Sequence, residues 1–192
     1  MKKLLCILLF SFSFVLQTQA QSKNCEIDYE IKNDSVNIKK TVDYLMYEKD
    51  FGRSTKSIFM SLINSEGLYF VQMQYLQKDS EFIPITCINH KSIVTLKLLN
   101  GKIVNAFYLG DEKCDSLMYD NQEKNNIRVL LGNFILRKED IAVLKESPVS
   151  TMQIRFSNKT EQFIIRESLQ SEITKTSYSP SVFIQQNLKC IE

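Results

Sequence analysis

Apolar and polar residues alternate along much of the chain, and this two-residue period predicts β-strands. The first clear case is Ile27, Tyr29 and Ile31, which alternate with acidic residues. Two later apolar runs, residues 57–63 and 68–76, are separated by four residues that favour a turn, so we expect a hairpin there. The same reasoning predicts extended structure over residues 25–47, 127–136, 152–156 and 163–166.

The strongest hairpin pattern lies at residues 93–109, where two β-prone runs are joined by Asn100 and Gly101. An Asn-Gly pair suits a two-residue type I′ turn. In that register Leu98 faces Ile103 and Val94 faces Phe107, and we expect this face of the hairpin to belong to the core.

Two segments have the pattern of helices. Residues 138–146 place two apolar residues on one face, and Pro148 ends the segment because proline cannot continue the hydrogen-bond ladder. Near the chain end Ser179 and Pro180 favour a helix N-terminus, ahead of a stripe formed by Phe183, Ile184, Asn187, Leu188 and Ile191. The pattern therefore predicts an α+β fold: a mainly antiparallel β-sheet, one short helix late in the chain and a C-terminal amphipathic helix packed on the sheet.

Residues 1–20 have the three parts of a cleavable signal peptide. Lys2 and Lys3 form a basic start, residues 4–16 are almost entirely apolar, and a polar stretch ends at Ala20. The apolar run is shorter than the roughly 20 residues that a membrane-spanning helix needs. We therefore expect cleavage after Ala20.

Export would place residues 21–192, as a single α+β domain with no transmembrane segment, in the periplasm or outside the cell. The alternative is a lipid anchor. Its attachment cysteine would be poorly placed, because Cys6 lies inside the apolar run and Cys25 follows polar residues.

Charge argues against one class of partner. Cleavage removes two of the 24 Lys and Arg residues and none of the 22 acidic ones, so the exported chain carries 22 of each sign. No stretch concentrates Lys and Arg without acids among them, and we expect no nucleic-acid partner. Glycine-rich nucleotide motifs are also absent from the sequence, and we expect no cofactor.

Four cysteines follow residue 20, namely Cys25, Cys87, Cys114 and Cys190. An even count in an exported chain favours two disulfides. We favour Cys87 with Cys114, which flank the 93–109 hairpin, and Cys25 with Cys190, near the two ends. In the chain-entropy model these loops stabilise by roughly 3 to 4 and roughly 5 kcal/mol. The alternatives are free buried thiols, or a metal site formed by Cys87, His90, Cys114 and Asp115, which lacks the second close ligand pair usual for structural zinc.

The sequence contains no catalytic motif. His90 is the only histidine, and without a nucleophile elbow or a zinc-binding helix we expect it to be a surface residue. The acidic residues of 111–123 lack the spacing of an EF-hand, and segment 111–126 is predicted to be a surface loop. Most aromatic residues are expected in the core. The alternative is that Tyr69 and Tyr75, on one strand face, form an exposed interaction patch.

Residues 134–155 comprise a predicted strand, a Lys-Glu-Asp-Ile helix, a Ser-Pro-Val break and a Met-Gln-Ile-Arg strand. This segment resembles one in small exported proteins of Gram-negative bacteria that have no assigned function. The resemblance covers about 22 residues, implies export and supplies no catalytic residues.

These features together predict an exported, non-enzymatic domain that binds a protein or a component of the cell envelope. One alternative is a periplasmic inhibitor or immunity-type protein. Another is a small-ligand carrier, which needs an enclosed apolar cavity of several hundred Å³. A third is a hydrolase with two facing carboxylates about 5 to 9.5 Å apart.

Overall fold

The computed structural model describes residues 25–33 and 35–192, so the predicted signal peptide lies outside the described residues. Within them are two short helices, α1 (Lys138–Glu146) and α2 (Pro180–Asn187), and a 3-10 turn at Leu188–Cys190. The strands are β1 (Ile27–Lys32), β2 (Asn37–Thr41), β3 (Tyr44–Asp50), β4 (Ser54–Ser65), β5 (Leu68–Asp79), β6 (Cys87–Ile88), β7 (Ile93–Leu98), β8 (Ile103–Tyr108), β9 (Lys113–Cys114), β10 (Ser116–Asp120), β11 (Asn125–Ile135), β12 (Val149–Arg155), β13 (Thr160–Ile164), β14 (Leu169–Gln170) and β15 (Ser177–Tyr178). The prediction of an α+β fold with a mainly antiparallel sheet is confirmed.

Eleven of these strands form one sheet in the order β1-β2-β4-β5-β11-β8-β7-β12-β13, with β3 beside β4 and β10 beside β11. β11 and β8 share only two paired positions, and there the sheet turns back on itself. The ring of Tyr47 on β3 therefore meets the ring of Phe163 on β13, with centroids 4.9 Å apart. We call the strands up to β5, with β10 and β11, the first layer, and β7, β8, β12 and β13 the second layer.

The core lies between the two layers and is built mainly from alternate residues of the longer strands. The first layer contributes Ile58, Met60, Leu62, Val71, Met73, Leu130 and Phe134, each at most 1% exposed. The second layer contributes Val94, Leu96, Leu98, Val104, Ala106, Met152 and Ile154. Since one side of β5 and β11 is committed to this core, the other side of these strands forms an outer face of the first layer.

The β7–β8 hairpin differs from the predicted register by one residue. Val94 pairs with Ala106, one position short of its predicted partner. The Leu98 N–H donates to the Lys102 carbonyl at 2.9 Å, so three residues rather than two form the loop, and Gly101 ends it at φ +83°. A three-residue loop that closes on a left-handed glycine is a common hairpin type, and here it replaces the predicted type I′ turn.

The prediction that segment 111–126 is a surface loop is wrong, because this segment contains β9 and β10. All five residues of β10 pair with β11, and Cys114 on β9 pairs with Cys87 on β6. A neighbouring strand and a disulfide therefore outweigh the polar composition of the segment.

The two helices begin at the residues expected from the sequence. α1 carries Glu139 and Asp140 in its first turn, where carboxylates complement the helix dipole. The ring of Phe183 on α2 stacks on the ring of Tyr44 on β3, with centroids 4.5 Å apart. Ser179 is the N-cap residue of α2, as expected, but its side chain makes no cap hydrogen bond, and its N–H donates to the Tyr44 hydroxyl at 2.7 Å. Among the described residues, no helix has the length and apolar character needed to span a membrane.

Candidate functional site

Two disulfides join the cysteine pairs that the sequence favours. Cys25 is bonded to Cys190, and Cys87 is bonded to Cys114. The first bond ties the start of the described chain to its last turn, while the second links β6 to β9. Because all four sulfurs are used, the free-thiol, lipid-anchor and metal alternatives at these cysteines do not apply, and His90 lies exposed in a turn.

A buried ion pair beside the Cys87–Cys114 bond fixes the loop that precedes β6. Asp115 Oδ1 accepts a hydrogen bond from Arg128 Nη1 at 2.6 Å, and Asp115 Oδ2 accepts one from the Thr86 N–H at 2.8 Å. Arg128 Nε also donates to the Ile83 carbonyl at 2.8 Å. A buried charge that loses its partner is strongly destabilising. These contacts therefore tie Ile83 and Thr86 of this loop firmly to Arg128 and Asp115.

This fixed loop exposes an aromatic side chain. Phe82 is 76% exposed, and the Arg128 guanidinium lies 6.0 Å from its ring centroid. A second exposed aromatic residue comes from the β3–β4 turn, where Gly52 has φ +83° and Phe51 is 58% exposed. Both rings line one small hollow of about 110 Å³, so two separate loops present aromatic side chains at the same end of the first layer.

A larger, polar cleft of about 580 Å³ adjoins this hollow. Its walls include Arg53, Glu172 and Ile173, and the last of these is 54% exposed. Glu48 positions this wall, because its carboxylate accepts hydrogen bonds from the Ser171 hydroxyl at 2.7 Å and from the Glu172 N–H at 2.6 Å. We define the loop-end surface as Phe51, Arg53, Phe82, Glu172 and Ile173.

The carboxylates of the cleft already have partners. Glu123 is paired with Lys78, and Glu172 Oε2 lies 3.0 Å from Lys175 Nζ. Asp50 Oδ1 accepts a hydrogen bond from the Gly52 N–H at 2.6 Å. Within the described residues the Arg53 guanidinium has no ion-pair partner. The cleft therefore offers both signs of charge for recognition rather than two facing acids.

A cluster of ionisable groups with shifted pKa values lies elsewhere, between the two layers. Glu161 of β13 accepts hydrogen bonds from Lys56 Nζ on β4 at 2.6 Å and pairs with Lys159 Nζ at 2.7 Å. Burial alone would raise the pKa of the Glu161 carboxyl, but the hydrogen bonds and charges of Lys159 and Lys56 outweigh this effect and lower it. Burial and the Glu161 charge raise the pKa of Tyr75, whose hydroxyl lies 3.3 Å from the carboxylate. The cluster clamps the layers together, and its groups are already engaged with one another.

The alternative of an exposed interaction patch at Tyr69 and Tyr75 is wrong for Tyr75, which lies in the core as expected of most aromatic residues. The two residues share a face of β5, but this face turns toward the core, where Tyr75 is 1% exposed and Tyr69 is half-buried. Exposed aromatic residues that the sequence analysis missed include Phe51 and Phe82, which lie on loops, and Tyr29 and Tyr119, which lie on strands. A usable indication was available for the two phenylalanines, because each of them stands beside turn-forming residues rather than inside an alternating run.

Comparisons of the chain with protein-family models, with curated proteins and with solved structures find no match. The resemblance of residues 134–155 to exported bacterial proteins therefore stays a prediction.

Proposed function

We propose that this chain is an exported, non-enzymatic domain that uses the loop-end surface to bind a folded protein of the cell envelope. The observation that carries the proposal is the exposure of Phe51 and Phe82, 58% and 76%, beside a mixed-charge cleft. Aromatic side chains and arginine dominate the energetic centres of protein interfaces. Burial of each phenylalanine against a partner would contribute about 1.5 to 3 kcal/mol.

Two of the segments that form the loop-end surface are tied down by contacts within the chain. Arg128 and Asp115 fix the loop of Phe82, and Glu48 fixes the turn of Glu172 and Ile173. Binding to a preorganised surface avoids part of the entropy cost of ordering loops. These contacts therefore support a role in recognition.

The chemistry of the surface favours a protein rather than a polyanion or a lipid. Arg53 supplies a positive charge and Glu172 a negative one next to the apolar side chain of Ile173. A partner with apolar anchors and charges of both signs complements this set. The disulfides support export, since such bonds persist in oxidising compartments such as the periplasm and the extracellular space.

Site-specific photocrosslinking tests the proposal. A photoreactive amino acid is placed at position 82 in one variant and, as a control, at position 99 in another, because Leu99 is also exposed, at 59%, but lies in the β7–β8 loop. We expect one envelope protein to crosslink at position 82 and not at position 99.

The affinity of the chain for that purified partner then tests the contributions of Phe51 and Phe82 to binding. Phe51→Ser combined with Phe82→Ser should raise the Kd at least tenfold. The matched control, Leu99→Ser combined with Ile103→Ser, removes side chains that are 59% and 58% exposed and should change the Kd less than twofold. Equal effects of the two double variants, or equal crosslinking at the two positions, would refute the proposal.

A further inference from the structure

The first layer has a notch in one edge of β11. β10 pairs with β11 up to the Ser116–Val129 pair, and β8 pairs with it only from Phe134 onward. Residues 130–133 of β11 therefore pair with β5 on one side, while no described strand pairs with them on the other. We call this interruption the β11 notch.

Two residues of β11 direct backbone groups into the notch. In an antiparallel ladder, successive residues direct their N–H and C=O groups to opposite sides of the strand. The Leu136 N–H donates to the Tyr69 carbonyl at 2.8 Å, so even-numbered residues of β11 face β5. Leu131 and Asn133 consequently direct their N–H and C=O groups toward the notch. Such an edge is a template for pairing with another extended chain.

The side chains around the notch form a mainly apolar hollow of about 290 Å³. Phe70, Tyr108, Leu109 and Leu131 line it, and Leu109 is 70% exposed. On the other side of Phe70 the outer face continues into a second hollow of about 260 Å³, which Tyr29, Ile38 and Ile63 line. Together these hollows have room for the apolar side chains of a short peptide.

One cation stands at the notch. Lys113 lines the hollow, and within the described residues its ammonium group has no ion-pair partner. A lysine beside apolar walls and outward-facing backbone groups is suited to a peptide that ends in a carboxylate. A free fatty acid would use the walls and the lysine, but it would leave the backbone groups of Leu131 and Asn133 without partners.

We propose that the β11 notch binds the apolar C-terminal end of an extended peptide. Two or three of its residues exchange backbone hydrogen bonds with Leu131 and Asn133. One side chain enters the hollow between Phe70 and Leu109, and the terminal carboxylate pairs with Lys113. This site is separate from the loop-end surface and does not depend on the function proposed for that surface.

The test uses the disulfide-bonded chain from residue 21 and a displayed library of random heptapeptides with free C-termini. We expect enrichment of sequences that end in apolar residues. For the best peptide, measured by fluorescence polarisation, amidation of the C-terminus and Lys113→Gln should each raise the Kd about tenfold. The two changes together should give no further loss, because they remove the same contact. Lys97→Gln, at an exposed lysine of β7, is the control and should leave the Kd unchanged.

A second measurement examines the backbone pairing. Addition of the peptide should shift the Leu131 and Asn133 amide signals in NMR spectra, and N-methylation of the peptide residue that pairs with Leu131 should abolish binding. The proposal is overturned if no sequence is enriched, if amidated and free peptides bind equally, or if palmitate binds at the notch and displaces the peptide. The Phe51→Ser and Phe82→Ser double variant should bind the peptide normally, which separates this result from the test of the loop-end surface.

Discussion

The inner and outer faces of β11 belong to one strand of the first layer, yet they differ sharply in packing. On the inner face of β11, Leu130 and Phe134 are fully buried. On its outer face Leu131 is 39% exposed and Asn133 is exposed, although each is a direct neighbour of a buried residue. The difference arises because the second layer covers the inner side of β11. Among the described residues, nothing covers the outer side of Leu131 and Asn133 as closely.

This contrast separates stability from recognition. Inner side chains gain free energy from burial and from close packing, so small changes in their volume are costly. Outer side chains around the notch make fewer contacts within the chain and remain available to a partner. The four predictions below test how complete this separation is, in order of decreasing expected effect.

Truncation of two adjacent leucines gives the largest expected contrast. Leu130→Ala should lower the free energy of unfolding by about 2 to 5 kcal/mol, because it leaves a cavity in the core. Leu131→Ala, the same chemical change one residue later, should cost less than about 1 kcal/mol. Urea unfolding followed by circular dichroism, with the disulfides intact, measures both values. Similar losses for the two variants would show that the outer face is packed as tightly as the inner one.

The second prediction concerns the addition of one methyl group to the inner face of β11. A Cβ on Gly132 would lie 2.5 Å from Ile88 Cδ1, and Ile88 is fully buried. We expect Gly132→Ala to cost about 1 to 3 kcal/mol through overpacking, measured by the same unfolding experiment. Ile88→Val removes the clashing methyl group, so the double variant should be more stable than the sum of the single effects predicts. Strictly additive effects would contradict this interpretation.

The clamp between the layers depends on pH. Loss of the Glu161 charge in Glu161→Gln should cost about 1 to 2 kcal/mol at pH 7, because Lys56 and Lys159 lose their shared partner. The lowered pKa of Glu161 means that its stabilisation is fully present above the unfolded-state pKa, about 4.3, and is lost as the pH falls through the lower folded-state value. The difference in the free energy of unfolding between the wild type and the variant should therefore shrink as the pH falls from 7 to 3. A constant difference over this range would contradict the assignment.

The smallest effect is expected for a polar pair on the outer face. Gln72 Nε2 donates to Asn133 Oδ1 at 2.9 Å in an exposed position. Asn133→Ala should change the free energy of unfolding by less than about 0.5 kcal/mol, since water replaces the lost partner. Thermal unfolding measures this change. A loss above about 1.5 kcal/mol would mean that the outer face contributes to folding and is not free for a ligand.

Local patterns predicted much of the secondary structure because the responsible interactions are local. The alternation in β4 and β5 was visible in the sequence, and so were the limits of α1 at residues 138–146. The turn types did not follow from local pattern alone. The two-residue turn with two positive φ angles is at Glu66 and Gly67, at 54° and 79°, and not at the predicted Asn100 and Gly101. A turn is selected by the strands on both sides of it, and an Asn-Gly pair fits more than one hairpin type.

The candidate sites were not predictable in the same way. The loop-end surface depends on Arg128, which holds the Ile83 carbonyl from 45 residues away along the chain. The β11 notch depends on where β10 stops and β8 begins to pair. Each feature results from contacts between distant segments, which a single sequence without an alignment does not reveal.

The α+β class, most of the strands and both helix starts followed from residue periodicity and turn residues, which are properties of neighbouring positions. The favoured cysteine pairs followed from the positions of the cysteines around the hairpin and near the two ends. Contacts between distant segments, by contrast, set which face of a strand is buried and which aromatic residues stay exposed. Tyr75 is buried because β13 and the turn before it fold over β5, whereas Phe51 and Phe82 stand on loops with no layer above them. The buried face of a strand is the one against which a distant segment of the chain packs, and the alternation of residues does not identify that face.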